Sequence, residues 1–439
     1  MFWSVKVKST FSLLFSLFLF SCSHQPIAQE KALWPDKHGP SLDGVVPAED
    51  AAKLPTEWSE KKHVVWKAPY KGLGHSSPIV LGDNVWFTSA TKDGKEQYVY
   101  AVDRNSGKVV HNLTLYKNAD PEPLGNTTNN YATPSCVVEP GAVYVHFGTY
   151  GTCRLDPKTG KKVWDRKDIE VRHFRGPASS PVIYKESLIL TFDGVEDKQF
   201  IMALDKNTGK TLWTTKRSVD FKDLVDGKPK REGDFRKAFG TPGFAEVDGK
   251  TQILSVGSRA AYGYDADTGK EIWILTHGNY NAAVRPIYIP KYKMAIINTG
   301  SAKANIHGVA LDKTTKGKIN NTHIKWSQRR ASRYCMPVYY QDHIYQITHD
   351  GNLSCINVKS GETAWKQSLV RSFMASPLLV GNKVYIIDIY GKATVFEATP
   401  TAFKQIAENE IAEEVSACPA VADGALFIRG KKHLYKIAK

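Results

Sequence analysis

A turn motif that recurs along the chain constrains the fold more than any other feature of the sequence. In each copy an Asp or Asn opens a turn, Ser or Thr precedes a Gly, and Trp, or His in the first copy, follows that Gly by four positions. The copies span residues 103–111, 156–164, 205–213, 265–273 and 357–365. The Asp or Asn side chain caps such a turn, and Gly adopts the positive φ that other residues resist. The motif therefore predicts repeated β-hairpins, with each aromatic ring packed between neighbouring sheets.

A second marker gives the number of repeats. A Pro beside small residues opens an apolar strand at eight places, which are Pro78, Pro134, Pro181, Pro242, Pro286, Pro337, Pro377 and Pro419. Their spacing is typical of four-stranded propeller blades of roughly 40–50 residues with loop insertions. The sequence therefore predicts an all-β protein, an eight-bladed β-propeller of four-stranded antiparallel blades. This architecture leaves only short, protected strand edges.

The two ends of the chain predict how the propeller closes. The last repeat supplies three apolar strands, at 418–421, 425–428 and 434–437, and then the chain stops. A spare apolar strand, His63–Trp66, precedes the first marker Pro. We therefore expect the N-terminal strand to complete the last blade, so that residues 59–439 form one propeller.

The first 21 residues are typical of an export signal. Lys6 and Lys8 precede a ten-residue apolar run, 11–20, which is too short to span a membrane. The run ends in Leu19-Phe20-Ser21-Cys22, which resembles a bacterial lipobox, so Cys22 is the expected lipid anchor and 22–58 a tether with an N-terminal extension. The lipoprotein sorting pattern that this segment resembles uses Asp after the cysteine for retention in the inner membrane. Ser23 at that position therefore favours the periplasmic face of the outer membrane. Ordinary secretion without lipid on Cys22 is the alternative.

Five cysteines remain after Cys22, and an exported protein would hold them in an oxidising compartment. The pairs Cys136/Cys153 and Cys335/Cys355 are each about a hairpin apart in sequence, and Cys418 is left over. Disulfides within a sheet and buried free thiols are both compatible with this spacing.

The repeats resemble those of PQQ-like propellers over nearly all of residues 59–439. Quinoprotein dehydrogenases and non-catalytic, BamB-like envelope lipoproteins share such repeats. The segment Trp34–Gly44 is also similar to the Trp…Gly-Pro…Asp-Gly opening of exported proteins with PQQ-like repeats. The resemblance implies a monomeric, non-catalytic scaffold that binds envelope proteins. The alternative is a divergent PQQ-dependent quinoprotein oxidoreductase.

The motifs favour the non-catalytic class. By resemblance, a quinoprotein would hold PQQ between a Trp and a vicinal disulfide with calcium alongside, and this sequence has no adjacent cysteines. The acids of 193–197 are more typical of a solvated turn than of a calcium loop. Hydrolase, zinc and phosphate-loop motifs are absent from the sequence. We therefore predict no catalytic residue, metal or cofactor, with PQQ and calcium expected only under the alternative.

The basic residues indicate an anionic ligand. Lysine and arginine number 59 against 44 acids, a formal net charge of +15. In a propeller, the segments just before the innermost strands encircle one end of the central channel, and arginines recur there. The candidate ligand-binding residues are His75, Arg175, Arg236, Arg285, Arg333 and Arg371. Converging guanidinium groups suit carboxylate, sulfate or phosphate, although the same arginines could instead be solvated or pair with acids of adjoining loops. Nucleic acid is not an expected partner, because export and the lack of a binding motif argue against it.

Overall fold

A computed structural model of the chain describes residues 1–5, 30–300 and 304–439. Most of the predicted signal peptide, and the predicted anchor Cys22, lie outside these residues. The N-terminal part contains strand β1 (Ala32–Trp34), the short helix α1 (Ala48–Ala51) and strand β2 (Val64–Pro69). No helix of the described ranges is long and apolar enough to cross a membrane.

The rest of the chain forms antiparallel sheets, one after another in sequence. Blade 1 contains β3 (Ile79–Leu81), β4 (Asn84–Ala90), β5 (Glu96–Asp103) and β6 (Val109–Lys117); blade 2 contains β7 (Val137–Glu139), β8 (Ala142–His146), β9 (Thr152–Leu155) and β10 (Lys162–Arg166); blade 3 contains β11 (Val182–Tyr184), β12 (Ser187–Asp193), β13 (Gln199–Asp205) and β14 (Thr211–Lys216). A separate small hairpin, β15 (Leu224–Val225) and β16 (Lys228–Pro229), follows blade 3.

The second half of the chain repeats this pattern. Blade 4 contains β17 (Gly243–Val247), β18 (Lys250–Val256), β19 (Ala260–Asp265) and β20 (Glu271–Thr276), with β24 (Gly317–Lys318) added in parallel at its edge; blade 5 contains β21 (Ile287–Ile289), β22 (Met294–Asn298), β23 (Asn305–Ala310) and β25 (Ile324–Arg329); blade 6 contains β26 (Val338–Tyr340), β27 (His343–Ile347), β28 (Asn352–Asn357) and β29 (Thr363–Ser368); blade 7 contains β30 (Leu378–Val380), β31 (Lys383–Ile387), β32 (Lys392–Glu397) and β33 (Gln405–Glu410); blade 8 contains β34 (Ala420–Ala422), β35 (Ala425–Arg429), β36 (His433–Ile437) and β2. Short 3₁₀ helices lie at Gly148–Tyr150, Lys230–Arg236 and Pro290–Tyr292.

The predicted eight-bladed propeller of four-stranded antiparallel blades is confirmed. The first strand of each blade lies at the axis, because β3 contacts β7 and β34, β17 contacts β21, and β26 contacts β30.

The predicted closure of the ring by the N-terminal strand is also confirmed. Strand β2 pairs antiparallel with β36, from Val64 opposite Ile437 to Pro69 opposite His433. The beginning of the chain therefore completes the last blade.

In five of the eight blades, the repeated turn packs against the blade before it. The turn glycines 107, 160, 209, 269 and 361 all adopt positive φ, between 67° and 74°. At Gly209 an added Cβ would lie 2.8 Å from the Trp164 ring of the preceding blade, whose Nε1 donates to Lys206 O at 2.9 Å. Trp326 makes the same contact with Gly361 and donates to Val358 O at 2.7 Å. The prediction that the aromatic rings of the motif pack between neighbouring sheets is confirmed for Trp164, and for Trp213 on Gly269; Trp326 packs in the same way although it belongs to no predicted copy.

The five cysteines among the described residues, Cys136, Cys153, Cys335, Cys355 and Cys418, are buried and free. Of the two possibilities that spacing left open, the structure has the free thiols. Burial raises the pKa of Cys153 to about 12 and that of Cys355 to about 11, so both stay protonated and unreactive at neutral pH.

The N-terminal extension enters the central channel. Strand β1 pairs antiparallel with β3, the axial strand of blade 1, and the chain then turns and returns along β30 of blade 7, where Val46 N donates to Leu379 O at 2.9 Å. Strands β3 and β30 both run away from the end of the channel that is encircled by the segments before the axial strands. Since β1 is antiparallel to β3 and Val45 pairs in parallel with Leu379 of β30, residues 31–46 form a loop that runs toward that end of the channel and back again. The tip of this loop is Pro35–Gly39.

Two glycines explain the Trp34–Gly44 motif. Gly39 has φ +81° and lies against the buried Trp34 ring, so that an added Cβ would be 2.7 Å from Trp34 Cη2. Gly44 has φ +80° and lies next to Pro377 O of blade 7. A side chain at either position would be strained, and it would collide with Trp34 within the loop at 39 and with the channel wall at 44.

Replacing residues 64–68 with a Gly/Ser segment of the same length removes the ladder between β2 and β36. We expect the free energy of unfolding of the whole protein to fall by several kcal/mol, since each hydrogen bond contributes about 1 kcal/mol and the closing contact of the ring is lost. Chemical denaturation measures the change. The same replacement at 224–228, in the separate hairpin, is the control and should change stability by about 0.5 kcal/mol or less. An equal effect at both places would contradict closure by β2.

Candidate functional site: a cavity at one end of the channel

A ring of hydrogen bonds links the blades around the axis. In six of the eight blades, the residue two positions before the axial strand has a side-chain oxygen or sulfur atom. That atom accepts a hydrogen bond from the backbone N–H of the corresponding residue in the preceding blade. The bonds run from Ser77 N to Ser135 Oγ (2.8 Å), Ser135 N to Ser180 Oγ (2.9 Å), Ser180 N to Thr241 Oγ1 (3.0 Å), Met336 N to Ser376 Oγ (3.0 Å), Ser376 N to Cys418 Sγ (3.2 Å) and Cys418 N to Ser77 Oγ (3.1 Å). This ring explains the small residues beside the marker prolines. In blade 2 the marker Pro134 is two residues out of step, and Cys136 stands where the other blades have Pro.

The ring is interrupted in blades 5 and 6, where Arg285 and Met336 replace the short acceptors, and the N-terminal loop fills this gap. Arg285 is 1% exposed and donates through Nη1 and Nη2 to Asp36 Oδ1 and Oδ2, at 2.6 and 2.8 Å. Its Nη1 also lies 3.2 Å from His38 Nδ1. A guanidinium group can only donate, so Nδ1 accepts and Nε2–H donates to Ser376 Oγ at 3.2 Å. Burial lowers the pKa of His38 well below its usual value, so the imidazole is neutral.

The loop tip forms the floor of a cavity of about 200 Å³ on the axis. The segments that precede the axial strands of all eight blades contribute to its wall, as the sequence predicted for one end of the channel. The lining residues that the argument uses are Lys37, His75, Arg175, Phe239, Arg333 and Tyr334. Asparagine amides and serine and threonine hydroxyls make up much of the remaining wall, and none of the described lining residues is acidic.

Two cations in this wall lack a carboxylate partner. Within the described ranges, Lys37 Nζ and the Arg333 guanidinium make no ion pair, although Arg333 lies 5.4 Å from the centre of the Tyr334 ring. Lys37 is only partly buried, and burial together with the nearby Arg285 lowers its pKa to about 8. At pH 7 Lys37 is therefore still mostly charged.

Three predicted ligand residues line the cavity, and three do not. His75, Arg175 and Arg333 are in its wall, and burial beside Arg429 lowers the pKa of His75 to about 4, which makes it neutral. Arg175 is already paired with Asp234, with Nη2 to Oδ2 at 3.0 Å.

The other three arginines lie outside the cavity lining, and each pairs with a carboxylate. Arg236 donates to Asp223, Arg285 to Asp36, and Arg371 lies 3.6 Å from Asp388. The sequence alternative, in which the arginines pair with acids of adjoining loops, describes Arg175, Arg236 and Arg371. Arg285 instead pairs with an acid of the N-terminal loop, so these four arginines do not form a converging ring of free charges.

Sequence reasoning missed Lys37 and His38. Both lie in the Trp34–Gly44 motif, whose Trp and glycines indicate an ordered segment, but nothing in the sequence places that segment inside the channel. The only available signal was a charged Asp-Lys-His tripeptide between residues typical of tight packing.

The described wall of the cavity does not suit calcium. Calcium binds six to eight oxygen ligands and prefers carboxylates, whereas this wall carries cations and no acid. Within the described part of the chain, no group of three His, Cys, Asp or Glu residues is arranged to hold a metal ion. The predicted solvated turn at 193–197 has a structural role at one end, because Asp193 Oδ1 and Oδ2 accept from the buried Arg217 at 2.9 Å each.

Replacing Asp36 with Asn leaves Arg285 buried without a counter-charge. We expect a loss of about 3–5 kcal/mol in the free energy of unfolding, because an uncompensated buried ion is costly. The matched control is Asp267→Asn, since Asp267 pairs with Lys185 and both side chains are about 60% exposed. That change should cost less than about 1 kcal/mol. Denaturant titration of both variants measures the difference, and equal losses would contradict a structural role for the loop.

Comparison with known proteins identifies the repeats. The PQQ_2 family model, described as outer membrane protein assembly factor BamB, matches residues 127–218 and 197–438. Among curated protein sequences, none matches this chain significantly.

Solved structures share the fold at low identity. BamB from Moraxella catarrhalis superposes with a TM-score of 0.57 at 14% identity, covering 85% of this chain and 99% of that one. The quinohemoprotein alcohol dehydrogenase of Comamonas testosteroni gives a TM-score of 0.63 at 14% identity, over 92% and 80%. The computationally designed protein Ika8 gives 0.55 at 9% identity, over 90% and 99%. These likenesses establish the fold, and the family model covers well over half of the sequence, so the chain belongs to the PQQ_2 family of propellers.

Proposed function

We propose that this protein is a non-catalytic binding propeller of the cell envelope that accepts an anionic group in the axial cavity. The observation that carries the proposal is the pair of cations, Lys37 and Arg333, in a wall without acids. Since each of the other candidate arginines already has a carboxylate, Lys37 and Arg333 are, among the lining residues that the structure describes, the charges free to meet a ligand.

The surroundings favour a small polar anion. The cavity is enclosed below by the loop tip, so a bound anion loses part of its solvation and meets a stronger field than at an open surface. The Asn281 side chain, whose Oδ1 is buried without a partner among the described residues, can hydrogen-bond the rest of the ligand. A volume of about 200 Å³ suits a molecule the size of a single acidic sugar.

A scaffold role at the outer membrane is the second part of the proposal. It is supported by the BamB description of the family model and by the sequence of the N-terminus, with Cys22 as lipid anchor on the periplasmic side. The expected partner is an envelope protein. Affinity capture from detergent-solubilised envelopes, with wild type and Cys22→Ser, tests the anchor and the partner together. Recovery of a β-barrel envelope protein with wild type but not with Cys22→Ser would support this part. Recovery of no envelope protein with either form would contradict it.

Binding of glucuronate, with glucose as the neutral comparison, tests the anion site by calorimetry. We expect glucuronate to bind and glucose to bind at least about tenfold more weakly, because one charge-assisted hydrogen bond contributes about 1.5–3 kcal/mol. Arg333→Gln should weaken glucuronate binding by a similar factor. Arg330→Gln is the matched control, since Arg330 is exposed and does not line the cavity. Equal loss in both variants would mean that net charge, and not the cavity, attracts the anion.

The pH dependence of binding follows from Lys37. With a pKa of about 8, its ammonium is protonated at pH 7 and mostly neutral at pH 9, so anion affinity should fall by up to about tenfold over this range. Arg285 lowers the pKa of Lys37, whereas Asp36 and Cys418 raise it. His38 and His75 remain neutral throughout and contribute nothing to the change. Lys37→Arg, which stays charged over this pH range, should flatten the profile. A profile that stays steep in Lys37→Arg would contradict this assignment.

A further inference from the structure

The amine of Lys37 has a chemical capacity beyond its charge. It lies at the floor of the axial cavity, and among the residues described here no carboxylate lies within ion-pair distance of it. Lys37 therefore combines an accessible nitrogen nucleophile with a binding site for an anion.

The wall places complementary groups around this amine. Arg333 can hold a carboxylate, and the half-buried rings of Phe239 and Tyr334 offer apolar surface for the carbon atoms of a small ligand. The two imidazoles of the wall, His38 and His75, are neutral and add no charge that would repel an approaching carbonyl compound.

We propose that Lys37 captures small aldehydes or ketones that carry a carboxylate, as a reversible imine, while Arg333 holds the carboxylate. This step rests on the anion site proposed above. The Nζ lone pair forms a bond to the carbonyl carbon, the carbonyl oxygen takes up protons, and the carbinolamine expels that oxygen as water. The ammonium and the carbonyl compound thus give a protonated imine and one water molecule, with no oxidant or reductant required.

The local electrostatics favour the reactive form of the amine. Burial and Arg285 lower the pKa of Lys37 from 10.5 to about 8. At pH 7 the free-amine fraction is therefore roughly 300 times that of an ordinary lysine, since each pKa unit changes the fraction about tenfold. Only the free amine attacks a carbonyl group.

Reductive trapping of the wild-type protein tests the inference. Incubation with glyoxylate and cyanoborohydride at pH 7 converts an imine into a stable carboxymethyl group on Nζ, and peptide mass spectrometry locates it. We expect Lys37 to be labelled at least about tenfold faster than the exposed Lys92 and Lys316, as its larger free-amine fraction requires. Labelling of Lys37 at the same rate as these two lysines, or no labelling, would overturn the proposal.

Two comparisons identify the ligand class and separate this inference from the anion site. Propanal, a carbonyl compound without a carboxylate, should label Lys37 more slowly than glyoxylate at equal concentration. Arg333→Gln, once its melting temperature shows that it folds, should slow glyoxylate labelling and leave propanal labelling unchanged. Equal effects on both reagents would overturn the role of the carboxylate. If calorimetry shows glucuronate binding while Lys37 is not labelled, then imine capture is wrong and the anion site stands.

Discussion

The structure depends on the way in which the axial ring of hydrogen bonds is completed. Six blade-to-blade bonds hold short polar side chains around the channel, and the ring is open where Arg285 and Met336 stand. The N-terminal loop closes this opening, with Asp36 on Arg285 and His38 on Ser376. Because a buried guanidinium without a counter-charge would be costly, the loop and the propeller stabilise each other.

This closure also creates the site. The loop that neutralises Arg285 brings Lys37 to the floor of the cavity, so one short segment provides both the structural ion pair and a free cation. The basic residues fall into two classes according to whether each has a carboxylate partner, and not according to whether it is Lys or Arg. Arg236 and Arg285 are buried and paired, and they contribute to stability, whereas Arg333 is unpaired and available to a ligand. Counting basic residues along the sequence cannot make this distinction.

The repeats made the fold predictable from the sequence. The capped turn, its glycine and the Trp four residues later are local features, and the Trp rings do lie on the turn glycines of the next blade, as Trp164 does on Gly209. The missing strand of the last blade could be recognised because β2 has the same apolar pattern as the other outer strands.

The site was less predictable because it depends on long-range contacts. Arg175 pairs with Asp234 through the conformation of an irregular loop, and Arg285 pairs with Asp36 across 249 residues. Neither contact leaves a periodic trace in the sequence. Residues 31–46 also lack periodicity, so their course through the channel could not be inferred, and Lys37 was missed for that reason.

The most direct measurement of the central claim is a crystal structure of the protein soaked in selenate, with the anion located by its anomalous scattering. The account predicts a selenate within hydrogen-bond distance of Lys37 Nζ and the Arg333 guanidinium, above a loop whose Asp36 contacts Arg285. An open channel with residues 31–46 elsewhere, or selenate only on the outer surface, would contradict it.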